Sequence, residues 1–350
     1  MTDEAPEQTG DASEVLGRIA YLLERAHEPT YRVRAFRKAA DVASSTGSAR
    51  LAALARAGRL TELPGIGDTT AAVIADVLAG RVPGYLAKLE GSVAPSAEAT
   101  AAEAALGSAL VGDLHAHSEW SDGGSPVEAM AVAARELGHS YLAMTDHSPR
   151  LKVANGLSRD RLLRQLELIA ECNERLAPFR ILTGIEVDIL DDGSLDQDDD
   201  LLAVLDVVVA SVHSKLAMEA GAMTRRMVAA VTNPHVDILG HCTGRIVVGK
   251  GRRPSSFDAA TVFAACAEAG TAVEINSRPE RLDPPDGLLR LAVDAGCLVS
   301  IDTDAHAPGQ LEWQHYGVRK AVDCGVDVAT VINTWPAQRL VSWANERGTH

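Results

Sequence analysis

The stretch Asp113-Leu114-His115-Ala116-His117-Ser118-Glu119-Trp120-Ser121-Asp122-Gly123 decides the reading of this chain. Its first half alternates on a two-residue period, so on a β-strand His115 and His117 share one face while Leu114 and Ala116 face the other layer. Ser121-Asp122-Gly123 then turns the chain and brings a carboxylate just past the strand. Two imidazoles ending a strand before an acidic loop form a pattern for holding cations, provided that other strands deliver donors to the same rim.

Outward from this stretch, short apolar runs at 113–117, 141–146, 181–188, 207–212, 236–240, 271–276 and 298–303 read as strands. Helical periodicity fills most intervals, at 126–137, 159–176, 218–231, 257–269, 288–295 and 314–323. That alternation predicts a parallel βα architecture from about Val111 onward. His147 ends the second strand and Glu186 lies in the third. His213 follows the fourth, His241 follows the fifth, and Asp304 with His306 repeats the two-residue spacing after the seventh. In a βα barrel the C-terminal strand ends are where active sites are built. A single histidine in a barrel is ordinarily a hydrogen-bonded core residue, but nine donors at strand ends are not explained that way. Imidazole and carboxylate without thiolate suit zinc, manganese or iron rather than a calcium, magnesium or structural zinc site. His27, His139, His235, His315 and His350 lie off strand ends and receive no ligand role.

Around this set, Asp113 and Asp302 keep register with the ligand rows. They are candidates for acceptors that orient imidazoles, or for ordinary structural roles. Arg245 and Arg253 bracket a basic, glycine-bearing loop just past His241, and a guanidinium binds phosphate through two parallel hydrogen bonds. Both are therefore candidate catalytic phosphate donors, with a solvated loop as the alternative. Arg278 and Arg281 form a second basic cluster.

Ahead of the barrel, residues 11–90 read as a compact all-α unit, with helices at 12–25, 31–44, 51–56 and 69–78. Residues 1–10 read as a disordered polar tail, 91–110 as a linker whose second half is helical, and 111–350 as the catalytic domain. In Leu63-Pro64-Gly65-Ile66-Gly67 the glycines let backbone amides approach a phosphate, and the following helix offers its positive end. From Gly17 to Thr61 nine Lys or Arg stand against Glu24, Glu28 and Asp41, in a chain of net charge −15. Gly65, Gly67, Arg34, Arg37 and Lys38 are accordingly the expected DNA contacts.

Composition sets the outer limits. A chain of 350 residues with 46% hydrophobic content fills a barrel and an appendage. No run of about 18 uncharged apolar residues occurs, and no signal peptide opens the sequence, so a cytoplasmic protein without a membrane span is expected. Five scattered cysteines form no CxxC pair and read as reduced thiols.

The segments DLHAHSEWSDG, AMTDHS, GIEVDIL, SVHS, DILGHCTGR, EINSRPERLD and SIDTDAH, in this order, resemble the PHP (polymerase and histidinol phosphatase) superfamily, in particular the version attached to bacterial family X DNA polymerases. The resemblance implies a distorted (β/α)7 barrel, similar to a TIM barrel, that holds three divalent metals. It places His115, His117, Glu186 and Asp304 on one metal. Glu186 bridges to a second, held by His213 and His241, while Asp122, His147 and His306 hold the third. The N-terminal unit is similar to the helix-hairpin-helix lyase-type domain of the same polymerases. Val73 stands where that domain has its lysine nucleophile, so lyase chemistry is not expected. Fingers and palm are missing between the two units, so polymerase activity is not expected either. The implied function is a metal-dependent phosphoesterase acting on DNA ends, as a 3′-5′ exonuclease or a 3′ phosphatase. The alternatives are a small-molecule phosphomonoesterase resembling histidinol phosphatase and a non-catalytic DNA-binding scaffold.

Overall fold

The computed structural model describes residues 11–92 and 99–347. The tail expected at 1–10, residues 93–98 of the expected linker, and His350 lie outside the described residues. The chain divides into two compact units, Met1–Glu98 and Ala99–His350.

The first unit contains helices α1 (Ala12–Arg25), α2 (Thr30–Thr46), α3 (Ser48–Arg56), α4 (Asp68–Leu78) and α5 (Gly84–Ser92). Helix α1 starts at a capping box between Asp11 and Glu14. Leu16, Ile19, Ala20 and Leu23 recur at helical spacing, so one face is apolar and becomes buried. It meets Val33, Phe36, Ala39 and Ala43 of α2 and Val73, Ile74 and Val77 of α4. Helix α5, which the sequence reading missed, adds Tyr85, Leu86 and Leu89 to this core.

The second unit opens with α6 (Ala101–Ala109), begun by a capping box between Thr100 and Glu103. These residues, read as half of a linker, dock on the barrel: Leu106 and Leu110 are buried with Ile275, Val299, Ile301 and Val318. Then follow β1 (Gly112–Ala116), α7 (Val127–Glu136), β2 (Tyr141–Met144), α8 (Arg159–Leu176), β3 (Arg180–Asp188), α9 (Asp199–Leu202) and β4 (Val207–Ser211). The remainder is α10 (Ala220–Val231), β5 (Ile238–Leu239), α11 (Ala259–Ala269), β6 (Ala272–Asn276), α12 (Asp286–Asp294), β7 (Val299–Asp302), α13 (Gln314–Asp323) and α14 (Ala337–Arg347).

The seven strands are parallel and pair in sequence order. A bridge between Ala116 and Ala305, with the His117 N–H donating to Ala305 O at 2.8 Å, links the first strand back to the last. Because each strand alternates, Val208 and Ala210 face the helical shell with Met223, Met227, Val262 and Phe263. Val207 and Val209 face inward with Tyr141, Ala143, Leu182, Ile238 and Ala272. Each such fully buried aliphatic side chain contributes about 1.5–3 kcal/mol. Trp335 and Leu340 join this inner layer from the C-terminal segment.

One sequence expectation needs correction, and one pair of alternatives is decided. Leu114 does not face away from His115: the β1–β2 register breaks between Asp113 and Ala116. Leu114 packs in the inner apolar layer, while His115 Nδ1 lies 2.5 Å from Glu274 on β6. A bulge lets two successive side chains enter the barrel. Asp113 and Asp302 orient no imidazole ring. Asp113 accepts from Thr303 Oγ1 at 2.5 Å and from the His115 N–H at 3.1 Å. Asp302 accepts from the Leu114 N–H at 2.9 Å and Asn333 Nδ2 at 2.8 Å. The two carboxyls stitch β1 to β7, and burial pushes both up, with Asp302 repelling Asp113 and Glu274 repelling Asp302.

Candidate metal centre

Strand ends bring the nine expected donors onto one rim, with Glu186 at their centre. Its Oε1 lies 2.8 Å from His241 Nε2 and 3.2 Å from His213 Nε2. Its Oε2 lies 2.7 Å from His147 Nδ1, 3.4 Å from His115 Nε2 and 3.6 Å from His117 Nε2. Asp304 Oδ1 approaches His117 Nε2 at 3.3 Å. Asp122 Oδ1 stands 3.3 Å from His306 Nε2 and 3.5 Å from His147 Nε2. Donor atoms draw together as three groups: His117, Asp122, His147 and His306; His115, His117 and Glu186; His147, Glu186 and His213. His117 and His147 therefore each belong to two groups, whereas the family resemblance put each on one metal.

These atoms fit divalent ions better than one another. Buried atoms that lack a hydrogen-bond partner include both ring nitrogens of His117, Nε2 of His115, Nδ1 of His147, His213 and His241, and Oε2 of Glu186. Leaving polar atoms buried and unmatched costs about 1–3 kcal/mol each. Such a concentration is expected where a cation completes the set. Burial, aided by His306 and His147, pushes His117 down to about 3, leaving its imidazole neutral and able to donate a lone pair. Burial alone would raise Glu186, but His213, His147 and His115 hold it well below the usual carboxylate range.

Residues that the sequence reading passed over orient the donors. Glu274 Oε1 takes the outward nitrogen of His115, and its Oε2 accepts the His241 N–H, both at 2.5 Å. A carboxylate behind a ligand imidazole fixes tautomer and ring direction. The available signal was the two-residue spacing of Glu274 and Asn276 in an otherwise apolar strand. Asp188 stands 3.4 Å from His213 Nδ1. Arg278 Nη1 reaches Asp304 O at 2.8 Å and His306 Nδ1 at 2.7 Å.

The guanidinium of Arg245 is committed to backbone carbonyls. Nε donates to Arg281 O at 2.9 Å and Nη2 to Leu282 O. Arg281 is the guanidinium at the cluster: Nε lies 3.3 Å from Asp304 Oδ2, and the buried Nη1 has no hydrogen-bond partner. Arg253 is exposed on the loop that follows. His27, His139, His235 and His315 take no place in the donor groups.

In the first unit Gly65 adopts φ +98, and an added Cβ would sit 2.9 Å from Lys38 Cγ. A side chain at this turn is therefore excluded on conformation and on space. Gly67 precedes α4, but its N–H already donates to Thr70 Oγ1 at 3.0 Å. Arg34 and Lys38 are exposed. Arg37 instead grips the buried Glu24 through Nε at 2.9 Å and Nη2 at 2.8 Å. Val73 is 1% exposed within the helical core.

A parallel βα barrel with a carboxylate-bridged histidine cluster at its C-terminal rim defines a multi-donor metal-binding barrel. Residues 113–278 match the PHP domain model and residues 10–82 the helix-hairpin-helix domain model. The second unit is thus similar to the PHP domain over residues 113–278. The DNA polymerase/3′-5′ exonuclease PolX of Bacillus subtilis is 42% identical over 225 residues, covering 64% of this chain and 39% of PolX. A probable phosphatase of Thermoanaerobacter sp. is 28% identical over 236 residues, covering 64% of this chain and 91% of that protein. A crystal structure of histidinol phosphate phosphatase from Lactococcus lactis, with zinc, histidinol and phosphate, aligns at TM-score 0.44 and 18% identity. That alignment covers 61% of this chain and 92% of the other.

Proposed function

We propose that this chain is a metal-dependent phosphoesterase that acts on DNA ends, as a 3′-5′ exonuclease or 3′ phosphatase. The observation that carries the reading is Glu186, surrounded by five imidazoles, each with at least one buried ring nitrogen that lacks a hydrogen-bond partner. His115, His117, Asp122, His147, Glu186, His213, His241, Asp304 and His306 would hold two or three zinc, manganese or iron ions. Such ions activate water near neutral pH and neutralise charge on phosphoryl and leaving oxygens. Glu274 and Asp188 hold the imidazoles in register, and Arg278 holds Asp304 and His306. Arg281 supplies the unpaired N–H for a phosphoryl oxygen, while Arg245 fixes the backbone that carries Arg281.

The helical unit supports DNA as substrate, through the exposed Arg34 and through Lys38 beside the Gly65 turn, and so does the PolX relative. Five buried, unpaired cysteines accord with a reducing, cytoplasmic setting. The second reading, a small phosphomonoesterase, is favoured by the probable phosphatase that aligns along 91% of its own length. Purified protein with manganese decides between them. Release of nucleotides or phosphate from 3′-hydroxyl and 3′-phosphorylated oligonucleotides supports the first. Turnover confined to histidinol phosphate or p-nitrophenyl phosphate supports the second.

A further inference from the structure

The loop after β5 is built as a rigid arm but takes no part in holding the donors. Ile246 and Arg252 pair antiparallel, their N–H groups and carbonyls bonded at 3.0 and 2.8 Å. The tip turns at Gly249 and Gly251, with φ of 61 and 65, which a side chain would strain. Its base is pinned three ways. Arg252 Nε donates to Gly244 O at 2.6 Å. The Val247 N–H donates to Glu280 O at 2.7 Å. Thr243 Oγ1 donates to the buried Asp283 at 2.6 Å.

Charge and apolar surface are both displayed on this arm. Residues 243–257 contain four cations and no acid, in a chain of net charge −15. Arg245 and Arg252 are spent on backbone carbonyls, which leaves two cations facing outward. Lys250 and Arg253 are exposed and make no ion pair among the described residues. On the same arm, Val247 and Val248 are 53% and 47% exposed.

A lone phosphate at the rim is served by the cluster and Arg281 and needs no second cationic arm. A polynucleotide end also presents the next phosphodiester, a sugar and a base. We infer that the 244–253 hairpin holds the strand leading to the scissile phosphate, with Lys250 and Arg253 on its phosphodiesters and Val247 and Val248 against a sugar or base. The ligand is a single-stranded polynucleotide 3′ end, recognised by the barrel itself. This rests on the phosphoesterase reading proposed above.

The test compares the full-length protein with the Lys250→Gln/Arg253→Gln double variant, both manganese-loaded. Substrates are a ten-nucleotide oligothymidylate and p-nitrophenyl phosphate. The expected result is that the ratio of kcat/KM values, oligonucleotide over aryl phosphate, falls about tenfold, mainly through KM for the oligonucleotide. Losing two phosphate contacts should also make the salt dependence on the oligonucleotide shallower by about 1.4 in logarithmic slope. If both substrates lose equally, or the ratio and slope do not move, the arm is not a strand contact and the phosphoesterase reading stands. If the unaltered protein turns over the aryl phosphate but no oligonucleotide, the DNA-end reading fails together with this inference.

Discussion

Replacing Arg281 tests how the centre handles phosphate. Its side chain is 18% exposed, Nε is 3.3 Å from Asp304 Oδ2, and the buried Nη1 meets no acceptor. A phosphoryl oxygen arriving at Nη1 gains a charge-assisted hydrogen bond worth about 1.5–3 kcal/mol. Arg281→Ala should therefore lower kcat/KM about tenfold to a hundredfold. Arg281→Lys should restore only part, because one ammonium cannot satisfy Asp304 and a phosphate as a planar fork does. The assay is steady-state hydrolysis of p-nitrophenyl phosphate at several manganese concentrations, with bound metal measured on the same samples. Arg245→Ala should act differently. Freeing Arg281 O and Leu282 O lets the loop move, so thermal stability and activity should fall together. Full activity in Arg281→Ala, with activity lost in a stable Arg245→Ala protein, would refute the assignment and return the phosphate role to Arg245.

Three further outcomes follow from groups away from the centre. Burial pushes the Asp237 carboxyl up to about 7, with the Val208 N–H at 2.8 Å and Arg347 Nε at 3.7 Å. Its folded value exceeds the ordinary 3.8, so its contribution is complete below about pH 4 and is lost as pH rises through 7. The slope is at most about 1.4 kcal/mol per pH unit. Asp237→Asn should flatten Tm between pH 5 and 8, and an unchanged profile in a calorimetric scan would reject this. In the helical unit, Arg37→Ala should lower Tm by removing the grip on Glu24. Arg34→Ala with Lys38→Ala should spare Tm but weaken binding to duplex DNA and reduce its logarithmic salt slope by about 1.8, read by fluorescence anisotropy.

The barrel and its donors were legible because two periods coincide in this chain. Strands bury both faces, so they read as short apolar runs, and donors such as His147 and Asp304 follow those runs directly. What stayed hidden was direction. Arg245 is four residues past His241, yet spacing along a loop cannot tell whether a guanidinium points to a phosphate or to carbonyls. Glu274 looked like an ordinary strand residue, because only closure of the barrel sets β6 against β1. Asp113 and Asp302 were in register with the donor rows, but both carboxyls are taken up by hydrogen bonds across the β1–β7 seam. Helices α5 and α14 were missed for a plainer reason. Gly84 and Gly91 weaken the pattern of α5, and α14 carries a tryptophan and polar groups over a narrow apolar face of Leu340 and Ala344. The sharing of His117 and His147 between donor groups depends on distances around Glu186, which no spacing encodes.

Metal stoichiometry tests the central claim most directly. Gently purified protein, reloaded with manganese or zinc and analysed by elemental mass spectrometry, should hold two to three ions per chain. Glu186→Ala, which removes the carboxylate facing five imidazoles, should lose at least one ion and all phosphoester hydrolysis. Retention of no ion by the unaltered protein, under conditions where its fold is intact, would contradict the account.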